Sequence, residues 1–305
     1  MQNRTFAAAV LLILVVALAS CEKAEEQNPV REAAVHPVLE EKNTRVPLGA
    51  GTYYPRSRET LRRVTEEYLE SARKTNKTGR IRMIVAPSAP LTYSGEIAAD
   101  AYAQITRTGY KRAVIVAKKE TKEIGVIVPE KNYETPLGEV ALDEDAIKSI
   151  ENSTLIHRGN DTTMRVEAQL PFLQTVLKNF TMIPLLAGRI STNQLNQLIE
   201  VIENLTDNET LVVVSTVFSR SKGYLEAYDR DSKCLTAINR MDLTKAAIDC
   251  EASSKFSMLA ALAAAKRMNL EPEIISYKTS GDTVGNKDRV TGYAAIVFRE
   301  KNGEE

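Results

Sequence analysis

Short, unbroken apolar runs separated by helix-length amphipathic stretches leave this chain few ways to fold. Leu211-Val212-Val213-Val214 is the clearest of them, mostly β-branched and with no polar residue. Met83-Ile84-Val85-Ala86, Ala113-Val114-Ile115-Val116 and Met182-Ile183-Pro184-Leu185-Leu186 repeat the pattern. A strand with one face in water alternates apolar and polar residues, so continuous runs ask for a sheet covered on both faces. The intervening stretches read as its cover. Ser57 is an N-cap candidate, and Leu61, Val64, Tyr68 and Leu69 line one face of a first helix. Further helices are predicted over about 95–106, 165–178 (despite Pro171), 193–205, 231–239, 242–249 and 256–268, with closing strands at 274–277 and 294–298. Gly125-Val126-Ile127-Val128 is expected to pair beside the 113–116 strand. The fold class is therefore α/β: a single domain with a central, mostly parallel sheet and helices on both faces. In such sheets functional loops lie beyond the carboxyl ends of strands, which singles out the turns after Ala86, Val116 and Val214.

No linker-like composition divides residues 46–300, and residues 301–305 form a polar tail. Forty basic and forty acidic residues cancel, so nothing predicts a nucleic-acid partner held by bulk charge. The N-terminus is different in kind. Arg4 precedes an apolar run from Ala7 to Val16, and the run ends in Leu18-Ala19-Ser20-Cys21. That order of charge, apolar stretch, small residues and cysteine reads as a lipoprotein signal peptide over residues 1–20, with Cys21 as the lipidation site. The other reading is an ordinary signal peptide or membrane anchor with an incidental cysteine. Residues 22–45 are rich in Glu, Lys and Ala, and read with Cys21 as a flexible tether. The expectation is a domain outside the cytoplasm, anchored through Cys21 to a membrane of the bacterial cell envelope. Cys234 and Cys250 remain; buried free thiols are the first reading and a disulfide in an oxidising envelope the second.

Several motifs occur in order along the mature chain. They are Gly49-Ala50-Gly51-Thr52-Tyr53-Tyr54-Pro55, Tyr93-Ser94-Gly95, Thr135-Pro136-Leu137-Gly138, Val166-Glu167-Ala168-Gln169-Leu170-Pro171-Phe172-Leu173-Gln174, and the closing Ser280-Gly281-Asp282 and Gly292-Tyr293-Ala294-Ala295. Together they resemble the Memo-like family, also called AmmeMemoRadiSam system protein B. The resemblance implies a fold like that of class III extradiol dioxygenases. It also implies a pocket where His and Cys side chains can bind a metal.

Position by position, that pocket is altered. Ser88 stands where the resemblance places a first histidine, Glu120 at a second and Met164 at a third. Val217 replaces an aspartate and Arg220 a further histidine, while Cys250 keeps the pocket cysteine in type. A transition-metal site takes three or more imidazole, thiolate or carboxylate ligands, and only Cys250 and Glu120 offer any. The chain's two histidines do not repair this: His36 lies in the tether, and His157 reads as a surface residue. Ser88 and Ser215 have no local base and read as backbone-bonding serines. Ser280-Gly281-Asp282 reads as a strand-connecting turn. Lys118, Lys119, Lys122 and Arg220 read first as solvated charges; a second reading sets them at the pocket mouth, facing an anionic ligand.

The expected function is a non-catalytic, membrane-anchored module that binds an envelope protein or a small anionic ligand and uses no cofactor. The alternative is a metal-dependent oxidoreductase-like enzyme with a remodelled pocket that uses Cys250 and Glu120.

Overall fold

The computed structural model describes residues 43–105, 109–120 and 124–301. The segment expected to be a signal peptide (residues 1–20), Cys21, His36, Lys122 and nearly all of the expected tether (residues 22–45) lie outside the described residues. In chain order the first half contains β1 (Thr44–Arg45), α1 (Arg58–Glu70), β2 (Ile81–Pro87), α2 (Leu91–Tyr102), β3 (Arg112–Lys118), β4 (Val126–Pro129), β5 (Asn132–Thr135), β6 (Gly138–Val140), α3 (Glu144–Ile150) and β7 (Ile156–Gly159). The second half contains α4 (Leu170–Val176), β8 (Thr181–Ala187), α5 (Thr192–Leu205), β9 (Thr210–Thr216), β10 (Arg220–Lys222), α6 (Tyr224–Asn239), α7 (Leu243–Asp249), α8 (Lys255–Arg267), β11 (Leu270–Thr279), α9 (Ser280–Val284) and β12 (Val290–Glu300).

Among the described residues, nine strands form one mixed sheet in the order β10-β12-β2-β9-β3-β8-β4-β7, with β11 on β12. Its middle four strands, β2, β9, β3 and β8, run parallel, and these are the unbroken apolar runs. The flanking strands β12 and β4 run antiparallel to β2 and β8. A smaller sheet, β1-β5-β6, carries the N-terminal entry. The crossovers β2-α2-β3 and β8-α5-β9 step in opposite directions along the sheet. Right-handed connections therefore place α2 and α5 on opposite faces. The helix contacts agree, since α2 packs with α1, α4 and α9, and α5 packs with α8. Both faces are thus covered, and β2, β3 and β9 are buried along almost their whole lengths.

Three expectations change. Gly125–Val128 does not lie beside the 113–116 strand, because β8 and β9 occupy both edges of β3; β4 pairs instead with β8 and β7. The single helix expected over 165–178 is a 3₁₀ turn, Glu167–Gln169, followed by α4. Pro171 sits in the first turn of α4, where its missing N–H costs nothing and its φ suits a helix start. Ser280-Gly281-Asp282 is not a bare turn but the start of α9, capped reciprocally by Thr279 and Asp282.

Candidate functional site

β2 leads into α2, whereas β9 passes into β10 at the edge of the same sheet, and a crevice lies at the carboxyl ends of these adjacent parallel strands. A cleft of about 310 Å³ lies there, lined by Ser88, Val217 and Arg220 together with Arg165, Tyr53, Tyr93 and Tyr293. A larger groove of about 780 Å³ runs past Lys111, Leu177 and Thr181 at the amino ends of β3 and β8. It contains none of the pocket positions and no convergent set of reactive groups. The smaller cleft, placed by the topology, is the candidate site.

The signature segment ties together the chain segments around this cleft. Glu167 is fully buried. It accepts hydrogen bonds from Arg45 Nη1 (2.6 Å), Leu48 N (2.9 Å), Gly49 N (2.6 Å) and the Tyr54 hydroxyl. It thereby ties the 3₁₀ turn to the Gly49–Pro55 motif. Gln169 donates to the Pro87 carbonyl and to Ser215 Oγ, joining the ends of β2 and β9, while Tyr102 donates to its carbonyl oxygen. Gln174 accepts from Thr135 Oγ1 and donates to the Gly138 carbonyl, which fixes the Thr135–Gly138 turn. Each polar residue of the signature thus welds a different part of the fold.

The same logic holds the loop before the signature. Arg45 donates to the carbonyls of Asp161 and Thr163, and the Thr163 amide and hydroxyl both bond Asp161 Oδ1. Ser215 Oγ donates to the Arg165 carbonyl at 2.6 Å. The backbone of Arg165 is therefore fixed from both sides, and its side chain enters the site. Its Nε lies 2.5 Å from Glu120 Oε1, and Nη2 also meets that oxygen. Its Nη1 reaches Ser88 Oγ at 3.3 Å and Ser253 Oγ at 3.2 Å. The Arg165 side chain is only 12% exposed, against 44% for Glu120. Partial burial opposes ionisation of Glu120, but the Arg165 guanidinium, with Lys118 and Arg220, outweighs it and holds the carboxyl below its usual range. Burial, with Tyr93 and Tyr53 nearby, pushes the Tyr293 phenol up to about 12, so it stays protonated at neutral pH.

The model of the family described as Memo-like protein matches residues 45–297 of this chain. The chain belongs to the Memo-like family. It is 29% identical over 283 residues to a MEMO1 family protein of Methanopyrus kandleri, covering 84% of this chain and 99% of that one. A MEMO1 family protein of Thermotoga neapolitana is 26% identical over 279 residues, covering 83% and 99%. Another, from Sulfurisphaera tokodaii, is 24% identical over 281 residues, also covering 83% and 99%.

The resemblance implies a metal pocket, and the residues present at its positions do not converge on a metal. Ser88 and Glu120 do converge, but on Arg165, not on a gap between ligands. A guanidinium, always charged, would repel a divalent cation at the point where Ser88 and Glu120 meet. Met164 does not line the cleft. Val217, in the aspartate's place, is buried and gives the cleft an apolar wall.

Cys250 requires a correction. It is neither a free thiol nor a candidate ligand, because it forms a disulfide with Cys234, which ties α6 to the end of α7. Both cysteines are buried, and a disulfide sulfur has no thiolate to offer a metal. With Glu120 engaged by Arg165 and Lys118, the pair Cys250 and Glu120 cannot share a metal. Among the described residues, no group of three or more His, Cys, Asp or Glu side chains is placed to hold one. His157 stands at an exposed position on β7. The residues present do not fit the metal.

Sequence reasoning missed Arg165 and Ser253. Arg165 carried a signal, a new charge directly beside the altered histidine position. Ser253 carried none, since only the fold brings the α7–α8 connection under β9, where Ser253 N donates to the Val217 carbonyl.

Proposed function

We propose that this Memo-like protein is a lipid-anchored binding module of the bacterial envelope that performs no metal chemistry. One observation carries the reading: the Arg165 guanidinium stands among Ser88, Glu120 and Ser253, where the relatedness would lead one to seek a metal. The anchor rests on the order of Arg4, the Ala7–Val16 run and Cys21. The Cys234–Cys250 disulfide supports a domain outside the cytoplasm, since disulfides persist in oxidising compartments. Multiple acyl chains on Cys21 would hold the protein at the bilayer far more firmly than one. Ligand or partner then binds at the β2/β9 cleft, on the side away from the sheet's core.

Expression of the full chain in a bacterial host tests both halves. Palmitate should label the membrane-bound protein, and Cys21→Ser should abolish labelling and release the chain from the membrane. The purified protein should contain only substoichiometric iron, copper and zinc. A stoichiometric metal, or a Cys21→Ser chain that still carries palmitate, would contradict the reading.

A further inference from the structure

The cleft at the ends of β2 and β9 has an unusual charge inventory. Two guanidinium groups, Arg165 and Arg220, face it, and no carboxylate lines it. The Arg165 charge is already answered by Glu120 from behind. Arg220 is exposed, and its side chain makes no hydrogen bond or ion pair to a described residue. It nevertheless lies near enough to act electrostatically on both Glu120 and Tyr293. One uncompensated positive charge therefore stands at the mouth of the cleft.

The neutral groups around it are donors. Ser88 is 7% exposed, and its oxygen accepts from Arg165 Nη1, leaving its own proton without a described acceptor. The hydroxyls of Tyr53 and Tyr93 likewise have no described partner. Their rings, with Pro90 and Val217, form apolar walls. Apolar walls with a few convergent polar groups are the usual make-up of a small-molecule site, and about 310 Å³ falls at the small end of that size range.

We infer that this cleft binds a small organic carboxylate, with Arg220 forking the carboxylate, the Ser88 hydroxyl donating to it and the ligand's body lying on the tyrosine rings and Val217. The inference rests on the binding-module reading and names the ligand class for the same site. A carboxylate is favoured over phosphate on charge and shape. One unanswered guanidinium matches one negative charge, and its planar fork matches two coplanar oxygens. A dianion would need Arg165 as well, and four of that side chain's donor contacts are already spent on Glu120, Ser88 and Ser253.

The test is calorimetric titration of the detergent-solubilised full chain with the monocarboxylates benzoate and butyrate, with inorganic phosphate as comparator, each with and without a chelator. Saturable one-to-one binding of a carboxylate, tighter than phosphate and unaffected by chelator, is expected. Arg220→Gln should weaken it by about tenfold or more, the scale of one charge-assisted contact. Its unfolding midpoint should stay unchanged, because Arg220 is exposed. Glu120→Gln should tighten binding by uncovering the Arg165 charge. Absence of saturable binding by either carboxylate, phosphate binding more tightly than both, or an Arg220→Gln chain that binds as well as wild type would overturn the inference alone. Carboxylate binding that needs metal and vanishes with chelator would instead overturn the metal-free reading beneath it.

Discussion

Glu167 sets out the physics of the signature at the scale of one residue. A carboxylate with no solvent exposure survives in a protein interior only when donors replace its water. Here four donors do so: Arg45, two backbone amides and the Tyr54 hydroxyl. Burial, reinforced by Glu167, raises the Tyr54 phenol far above its ordinary value and keeps it a donor. Glu167→Ala would strand the Arg45 guanidinium and both amides, so the expected cost is about 3–5 kcal/mol in denaturant unfolding. Arg45 also holds the carbonyls of Asp161 and Thr163, so the same variant should loosen the loop that aims Arg165. A loss below about 1 kcal/mol, the scale of a surface pair, would show that Glu167 does not bear on the fold.

At the scale of elements, Asp143 joins three pieces at once. It caps α3 by accepting from the Ala146 amide, and it accepts from Arg112 on β3 and Thr181 on β8. Burial raises its proton affinity, and these hydrogen bonds, with the Arg112 charge, outweigh that and hold its carboxyl below the ordinary aspartate range. A folded-state pKa lowered in this way stabilises the protein above the unfolded value, about 3.9, and the contribution fades as pH falls through the folded value. Asp143→Asn keeps a cap but loses the charge on Arg112. At pH 7 it should destabilise by about 1.5–3 kcal/mol, the scale of hydrogen bonds to a charged group. The gap to wild type should narrow as pH drops below about 4. A gap that stays constant from pH 7 to pH 3 would contradict this.

For the whole molecule, legibility followed range in sequence. The β9 run Leu211–Val214 announced itself because burial on both faces leaves a local imprint. The partner of Gly125–Val128 did not, because pairing depends on which strands already hold the edges of β3. Leu91 and Tyr224 begin helices earlier than expected because Pro90 and Gly223, the residues before them, lack the side-chain caps that sequence reading looks for. The altered pocket positions were legible one at a time. Their meaning was not, since Ser88, Glu120, Arg165 and Ser253 lie on four separate segments and meet only after folding. The disulfide is of the same kind: Cys234 and Cys250 come together because α6 and α7 pack side by side. Closing that loop of 16 residues contributes roughly 3 kcal/mol in a chain-entropy estimate, and it steadies the segment leading to Ser253.

An arginine occupies the middle of a pocket whose resemblance implies a metal. Titration of the purified, chelator-treated protein with ferrous, cupric and zinc ions, in competition with a chromophoric chelator, shows whether it excludes one. The result expected is no one-to-one complex with any of the three, in wild type and in Glu120→Ala alike. A tight one-to-one complex in wild type that Glu120→Ala abolishes would contradict it, because it would mean that Glu120 leaves Arg165 to hold a metal.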